Sequence, residues 1–546
     1  MDEYSYHLSQ ELRAGRLTRR GFLRRATVAG VTLSSMGAIL TACVEDEPAE
    51  PEGAGATGKP QRGGTLTLGM EEPPAAPDPV TGYAGAMYLI PQLAMEHLVW
   101  PRPDYSLAPQ LATEWSADAP DTWTFHLRDG VTWHDGSRLT ADDVVYTFDL
   151  LTDPEVASAA LSAYEGVLSP GNTEKVDDLT VRFHLDRGYV DFPYLVSGFT
   201  FNSVILPAGY EIGQFLDGRV GTGPFILDSY TPERATLVRN PDYWDNGLPY
   251  LDSLEVVFRA HSAIAAGVRS GEIDVYGHAV PPSIYPTLSD VDGVEIVESP
   301  SSSYRAVHMR VDEEPFSDVR VRQAIASCLD RESIIAGVVN GFASIGNDHG
   351  FSPVFPLSER VVGEVPQRTQ DIELARQLLA EAGFNDGLSV EFIVGDLQEI
   401  PELAVTIKDQ VRQAGIEANL EIMTPEAYFG SGDNQPWLKV PFGASDWNAR
   451  GTPSQLIAPA YLCGAVWNSA HWCSDQFDSL MRDLDKELDE QRRTQLAVDA
   501  ARLMHEEVPA LIAYWNTDLQ AMRSRVHDMA PGPVPLLDLR AAWVSA

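Results

Sequence analysis

Hydrophobic and polar positions alternate along the first part of this chain. After Gly63-Gly64, the run Thr65-Leu66-Thr67-Leu68 has the period of a strand. Trp123, Phe125 and Leu127 alternate with Thr122, Thr124 and His126. Asp129-Gly130 predicts a turn into a second strand that carries Val131 and Trp133. Leu179 to Leu185 alternates again, and Ala141 to Leu151 reads as a short helix. Up to about residue 300 the chain is strand-rich.

The period then changes. Asp318 can cap a helix that carries Val321, Ala324, Ile325, Cys328 and Leu329 on one face. A helix from Asp371 to Ala382 ends at Gly383, and a strand follows from Leu388 to Val394. A helix from Pro401 to Ala414 leads into Ile416, Ala418, Leu420 and Ile422, alternating with Glu417, Asn419 and Glu421. Strand–helix–strand order of this kind predicts an α/β lobe. Two more helices are expected, Gln476 to Leu488 with a stripe of Phe477, Leu480, Leu484 and Leu488, and Arg492 to Glu507. Leu511 to Trp515 returns to strand. The pattern therefore predicts two large α/β units, with the C-terminal stretch returning to the first.

Charge divides the chain differently. Its 546 residues hold 39 Lys and Arg against 79 Asp and Glu, a net of −40. A surface this acidic argues against nucleic acid as a partner. Residues 1–42 run the other way, with six arginines against three acids. Thr18-Arg19-Arg20-Gly21-Phe22-Leu23-Arg24 reads as a twin-arginine export signal. The apolar run from Ala26 to Ala42 is about 17 residues long, short of the roughly 20 needed to span a membrane. It ends in Leu40-Thr41-Ala42-Cys43, which resembles a bacterial lipobox with Cys43 as the lipidated residue. Residues 43–61, rich in Glu, Pro, Gly and Ala, read as a flexible tether. The Gly53–Gly58 match to a dinucleotide loop lacks its strand and helix.

Export permits disulfides. Cys463 and Cys473 are expected to pair locally, and Cys328 to be a buried small hydrophobe. No spacing of Cys, His or acids suggests a metal site or a resident cofactor. Neither a Gly-x-Ser-x-Gly nor a His-Glu-x-x-His motif is present. A non-enzyme is expected. The competing readings are a twin-arginine-exported cofactor enzyme and a ligand-sensing binder without a transport role.

Several segments together resemble the family 5 extracellular solute-binding proteins of ABC importers. They include Leu107-Ala-Pro-Gln-Leu-Ala-Thr-Glu-Trp115, the stretch Trp123 to Gly136, and Leu139-Thr-Ala-Asp-Asp-Val144. Gly221-Thr-Gly-Pro-Phe225, Arg239-Asn-Pro-Asp-Tyr-Trp244, Pro249 to Asp252 and Ser270 to Asp274 follow in order. Pro315 to Ala324, Asp330-Arg331 and Gly415 to Glu421 extend the match. The resemblance implies a two-lobed type II periplasmic-binding-protein fold with an additional domain inserted in the first lobe. In residue terms, lobe I is 62–303 plus 515–546, with the insertion at about 100–205, and lobe II is 304–514. It also implies capture of a peptide or related small solute, with a nickel chelate or heme as narrower variants. Delivery to an ABC permease is implied, by a monomer held on the outer face of the cytoplasmic membrane through its lipid.

In peptide-binding members an acid of the second lobe pairs with the ligand's amino terminus, and Asp446 in Ala444-Ser445-Asp446-Trp447 occupies the matching place. Trp447 would supply an apolar or cation–π wall. Arg450 could neutralise Asp446 or take an anionic ligand group. Arg310 stands where members often carry Asn; it could clamp a carboxylate or pair with Asp312 to Glu314. Glu71 lies where members line the cleft, and Tyr304 and Trp515 are hinge or wall candidates. His134-Asp135 reads as a turn pair and not as catalytic machinery.

Overall fold

The computed structural model of the chain describes residues 59–218, 220–430, 434–533 and 536–545. The export signal with Arg19 and Arg20, the lipidation residue Cys43 and the tether up to residue 58 lie outside them.

One mixed sheet of twelve strands organises the described chain. Its continuous path has ten: β1 (Thr65–Met70), β2 (Phe225–Thr231), β3 (Arg234–Arg239), β4 (Ser253–Phe258), β5 (Val275–Tyr276), β6 (Val294–Met309), β7 (Leu388–Gly395), β8 (Ile416–Met423), β9 (Phe442–Trp447) and β10 (Tyr514–Arg523). Their order is β8-β7-β9-β6-β10-β5-β1-β4-β3-β2. Two strands hold its halves together. The first half of β6, Val294–Pro300, pairs antiparallel with β10, and its second half, Tyr304–Met309, pairs with β9. The register shifts between Pro300 and Tyr304. In the intervening Ser301-Ser302-Ser303 the Ser301 hydroxyl bonds Ser303 locally, and the Ser302 hydroxyl donates across the chain to the Arg450 carbonyl.

Helices accompany the sheets, among them α1 (Ala86–Ala94), α2 (Ala141–Thr152), α3 (His261–Ser270), α4 (Val319–Ser327), α5 (Ile372–Glu381) and α6 (Ile400–Val411). Asp318 caps α4 by accepting from the Arg320 amide, and Asp371 caps α5 through the Leu374 amide. Next come α7 (Pro453–Tyr461), α8 (Asp475–Lys486) and α9 (Glu490–Glu507). A separate four-stranded sheet is built from residues 112–184, with α2 against it. Three apolar clusters result: the largest joins β1, α1 and the inserted sheet, the second lies around α4, α6 and β7, and a small third lies around α3. Leu456, Phe477 and Leu496 of α7, α8 and α9 join the first cluster.

Two expectations need correction. Thr122–Leu127 does not pair with a strand across Asp129-Gly130. Its neighbours are Ala112–Ala119 and Thr180–His184. Val131 and Trp133 are buried instead in a tight turn, where the Trp133 amide donates to the Ser137 carbonyl. Leu488 falls beyond the end of α8 and is exposed, so the stripe stops at Leu484.

The family-like segments mostly hold packing. Gly221, at φ 139°, brings its backbone so close to the Ala94 carbonyl that a Cβ would sit 2.0 Å from that oxygen. Buried Glu96 accepts from Thr222, Tyr243 and Trp244. His134 contacts the Gly223 carbonyl at 3.0 Å, and Asp135 accepts from Ser137 in a turn.

Candidate functional site

The strand ladder places the candidate residues on two faces of the central sheet. Asp446 of β9 stands opposite Arg305 of β6, while Trp447 stands opposite Tyr304, which in turn meets Trp515 of β10. Side chains alternate along a strand, so Tyr304, Trp447 and Trp515 share one face and Arg305 and Asp446 the other. Ring contacts follow this division. Tyr304 stacks on Trp447 at 6.1 Å and meets Trp515 at 4.9 Å. Trp447 also meets Trp467, which the loop closed by the Cys463–Cys473 disulfide carries. Tyr304 is fully buried, so it packs and orients its neighbours, whereas Trp447 remains partly exposed.

The other face carries a surplus of acid. Arg305 is buried and ion-paired to Glu399 at 2.9 Å, and Tyr514 donates to the same carboxylate. Burial pulls the Arg305 pKa down, but Glu399, Tyr514 and Asp446 together push it above its ordinary value. Asp446 is half-buried, and among the described residues no cation lies within ion-pairing distance of it. Asp518 of β10 faces Ser299 of β6 and lines a small cavity with Gly277, His278 and Gln520. Burial pushes its carboxyl up to about 6, opposed by a hydrogen bond to Ser301 and by Arg305, and helped by Glu399. Three carboxyl groups thus crowd around a single guanidinium, an arrangement suited to a further cation. Sequence reasoning missed Asp518, since no local motif marks it; only the strand pairing brings it beside residues more than 200 positions earlier.

Arg450 does not pair with Asp446. Its backbone is locked to the register shift of β6: the Arg450 amide donates to Ser302 Oγ at 2.8 Å, and Ser302 Oγ donates to the Arg450 carbonyl at 2.7 Å. The Ser302 amide bonds the Tyr105 hydroxyl. Gly451 then passes so close to Tyr194 and Phe199 that a Cβ would lie 2.7 Å from each ring.

The remaining candidates lie apart. Arg310 is engaged by Asp312 at 2.7 and 2.8 Å and Glu313 at 3.0 Å of its own segment, and by the distant Lys439 carbonyl at 3.0 Å. Asp312 is held at about 2, chiefly by that hydrogen bond. Glu71 is exposed just after β1 and meets His261 at 3.2 Å, whose other ring nitrogen contacts Tyr276. Cys328 is buried and free. Among the described residues no group of three His, Cys, Asp or Glu is placed to hold a metal ion, and no helix is long and apolar enough to cross a membrane.

Comparison with known proteins matches residues 106–468 to the model of bacterial extracellular solute-binding proteins, family 5 Middle. The dipeptide-binding protein of Escherichia coli K12 is 27% identical over 459 residues, covering 78% of this chain and 84% of that protein. The oligopeptide-binding protein AppA of Bacillus subtilis is 26% identical over 522 residues, covering 90% and 93%. Among solved structures, the ABC transporter substrate-binding protein CtaP of Listeria monocytogenes superposes with a TM-score of 0.78 at 23% identity, over 89% of this chain and all of that one. The fold is therefore the two-lobed type II arrangement with an inserted domain.

Proposed function

The chain belongs to family 5 of the bacterial extracellular solute-binding proteins, and we propose that it captures a peptide or related small solute between its lobes and delivers it to an ABC permease. In this reading lobe I comprises residues 62–303 and 515–546, lobe II comprises 304–514, and the β6 register shift at Ser301 to Ser303 is the hinge. Cys43 carries the lipid that holds the protein at the membrane, after export directed by Arg19 and Arg20.

The observation that carries the reading is the acid surplus around Asp446. A ligand ammonium leaving water needs a carboxylate partner, because an unpaired buried charge is costly. Asp446 supplies it, with Asp518 and Glu399 adding to the field and Arg305 fixing the geometry. Trp447 and Trp467 form an apolar surface on the opposite face of the same strand. Ligand contacts on both lobes then shift an open–closed equilibrium, and no bond is made or broken. Isothermal titration with Ala-Ala and Ala-Ala-Ala tests the reading. Asp446→Ala should weaken binding at least tenfold, and equal affinity in the variant removes the amine-pairing role.

A further inference from the structure

Tyr105 stands where three parts of the molecule meet. It lies in the turn between Val99–Pro101 and Leu107–Pro109, at the start of the inserted segment, and is fully buried. Its phenol oxygen accepts from the Ser302 amide at 2.8 Å and donates to the Pro533 carbonyl at 3.0 Å. One hydroxyl thus joins the register shift of β6 to the C-terminal strand pair, Ala530–Pro531 with Leu537–Asp538. Beside it, Ser299 Oγ donates to the Gly532 carbonyl at 3.2 Å. The Tyr105 ring meets Phe199 of the inserted segment at 5.2 Å and Phe355, in the residues assigned to lobe II, at 5.9 Å.

The surroundings impose this placement. Tyr105 has φ 65°, a left-handed conformation that a bulky side chain rarely adopts. Strain of this kind persists where neighbours over-determine it, and it concentrates at sites that switch. Here the Tyr105 amide donates to the Arg102 carbonyl at 2.9 Å, and its carbonyl accepts from the Tyr194 hydroxyl at 3.1 Å. Burial raises the phenol pKa, so the proton stays on the oxygen and the bond to Pro533 is kept. With no surface exposed, Tyr105 is out of reach of a solute, and its effect on binding has to pass through the hinge.

We infer that Tyr105 is a positioning residue for closure: with Ser299 it latches the hinge to the C-terminal strand pair while the lobes are together. This rests on the hinge at Ser301 to Ser303. Rotation there turns the Ser302 amide away from the phenol, so opening breaks the latch, and losing the latch favours the open form. Without the hydroxyl, the Ser302 amide and Pro533 carbonyl lack partners in the buried closed form, whereas the open hinge lets the amide find water.

Tyr105→Phe keeps the ring and removes the hydroxyl. Stopped-flow kinetics of Ala-Ala on the purified chain should show dissociation about tenfold faster and association within about twofold. A merely structural residue would lower the urea midpoint and leave both rates alone, and that result overturns the latch. Where Tyr105→Phe does not fold, Ser299→Ala takes its place: dissociation about threefold faster is expected, and an unchanged rate overturns the latch. If no peptide binds the unaltered protein, the peptide reading fails on its own, and the separation of the lobes then decides. Nitroxide labels on Val238→Cys in lobe I and Val405→Cys in lobe II, both exposed positions, report that distance by pulsed double electron resonance without any solute. The latch variant should shift the distances from those of the unaltered protein toward longer ones; superimposable distributions overturn the latch.

Discussion

Two acid–arginine pairs cross between residues 187–191 of the inserted segment and helices α8 and α9. Asp191 meets Arg493, and Arg187 meets Asp485 at 2.5 Å. Asp485 also accepts from Ser454, and its carbonyl takes the Val190 amide. The pairs differ in burial. The Asp191 and Arg493 side chains are 6% and 19% exposed, whereas Arg187 is 42% exposed. Asp191→Asn leaves the Arg493 guanidinium without its partner in a poorly hydrated place. Such breaks cost about 3–5 kcal/mol; the low end, about 3 kcal/mol, applies here because Asp485 still acts on Arg493. Arg187→Ala should cost less, about 1–2 kcal/mol: the arginine is largely in water, but buried Asp485 loses its cation and keeps the Ser454 hydroxyl. Urea unfolding measures both, and an Asp191→Asn/Arg493→Met cycle should return a coupling of about 2 kcal/mol. In the proposed lobe division these pairs bridge the lobes, so their stabilisation belongs to the closed form. Losing about 3 kcal/mol there should weaken ligand affinity by up to about 100-fold, at tenfold per 1.4 kcal/mol. A stability loss under about 1 kcal/mol refutes the buried-pair reasoning. A full stability loss with unchanged affinity refutes the bridge between lobes.

Asp518 gives a pH prediction. With its carboxyl raised to about 6, the folded protein keeps a proton that the unfolded chain releases near pH 4. Stability from this group is therefore complete below about pH 4 and falls as pH rises through 6, by at most about 3 kcal/mol. Asp518→Asn should show no gain at pH 4 and a higher unfolding midpoint than the unaltered protein at pH 7.5; parallel pH curves for the two proteins would exclude this. For the membrane address, Cys43→Ser should move the protein from the membrane to the soluble extracytoplasmic fraction, and unchanged fractionation contradicts the lipid anchor.

Much of the fold was legible because its signals are local. Asp318 and Asp371 each precede an apolar stripe by one helical turn, and both cap the helix expected there. The alternation from Ile416 to Ile422 set a strand on the edge of the sheet, where one face of alternate residues is open to water. The failures were non-local. Asp129-Gly130 does form a turn, with Gly130 at φ 79°, but a turn says nothing about which strand pairs with which. Thr122–Leu127 found better partners on both sides, one of them nearly 60 residues on. The site follows the same division. Asp446 and Trp447 are candidates through a local pattern that resembles the family's, while Asp518 gains meaning only from neighbours far along the chain. Arg450 was visible, but not what surrounds it; its separation from Asp446 is a property of the loop that Ser302 holds.

The bulk charge of −40 does not choose the ligand. At physiological ionic strength charges more than about 8 Å apart across water are largely screened, so most acids act on encounter and solubility. Selection falls to groups that close contact and burial shield from that screening. Around Asp446 the local balance is three carboxyls against Arg305, while the Arg450 guanidinium bonds the Ala449 carbonyl and, among the described residues, has no carboxylate within ion-pairing distance. A monovalent cation would satisfy the first place and leave the second uncompensated; a simple anion would do the reverse. A solute bearing both charges relieves both at once. Salt should therefore change both rates little: a solute without net charge is not steered by the acidic surface, and a closed, desolvated cleft is shielded from screening.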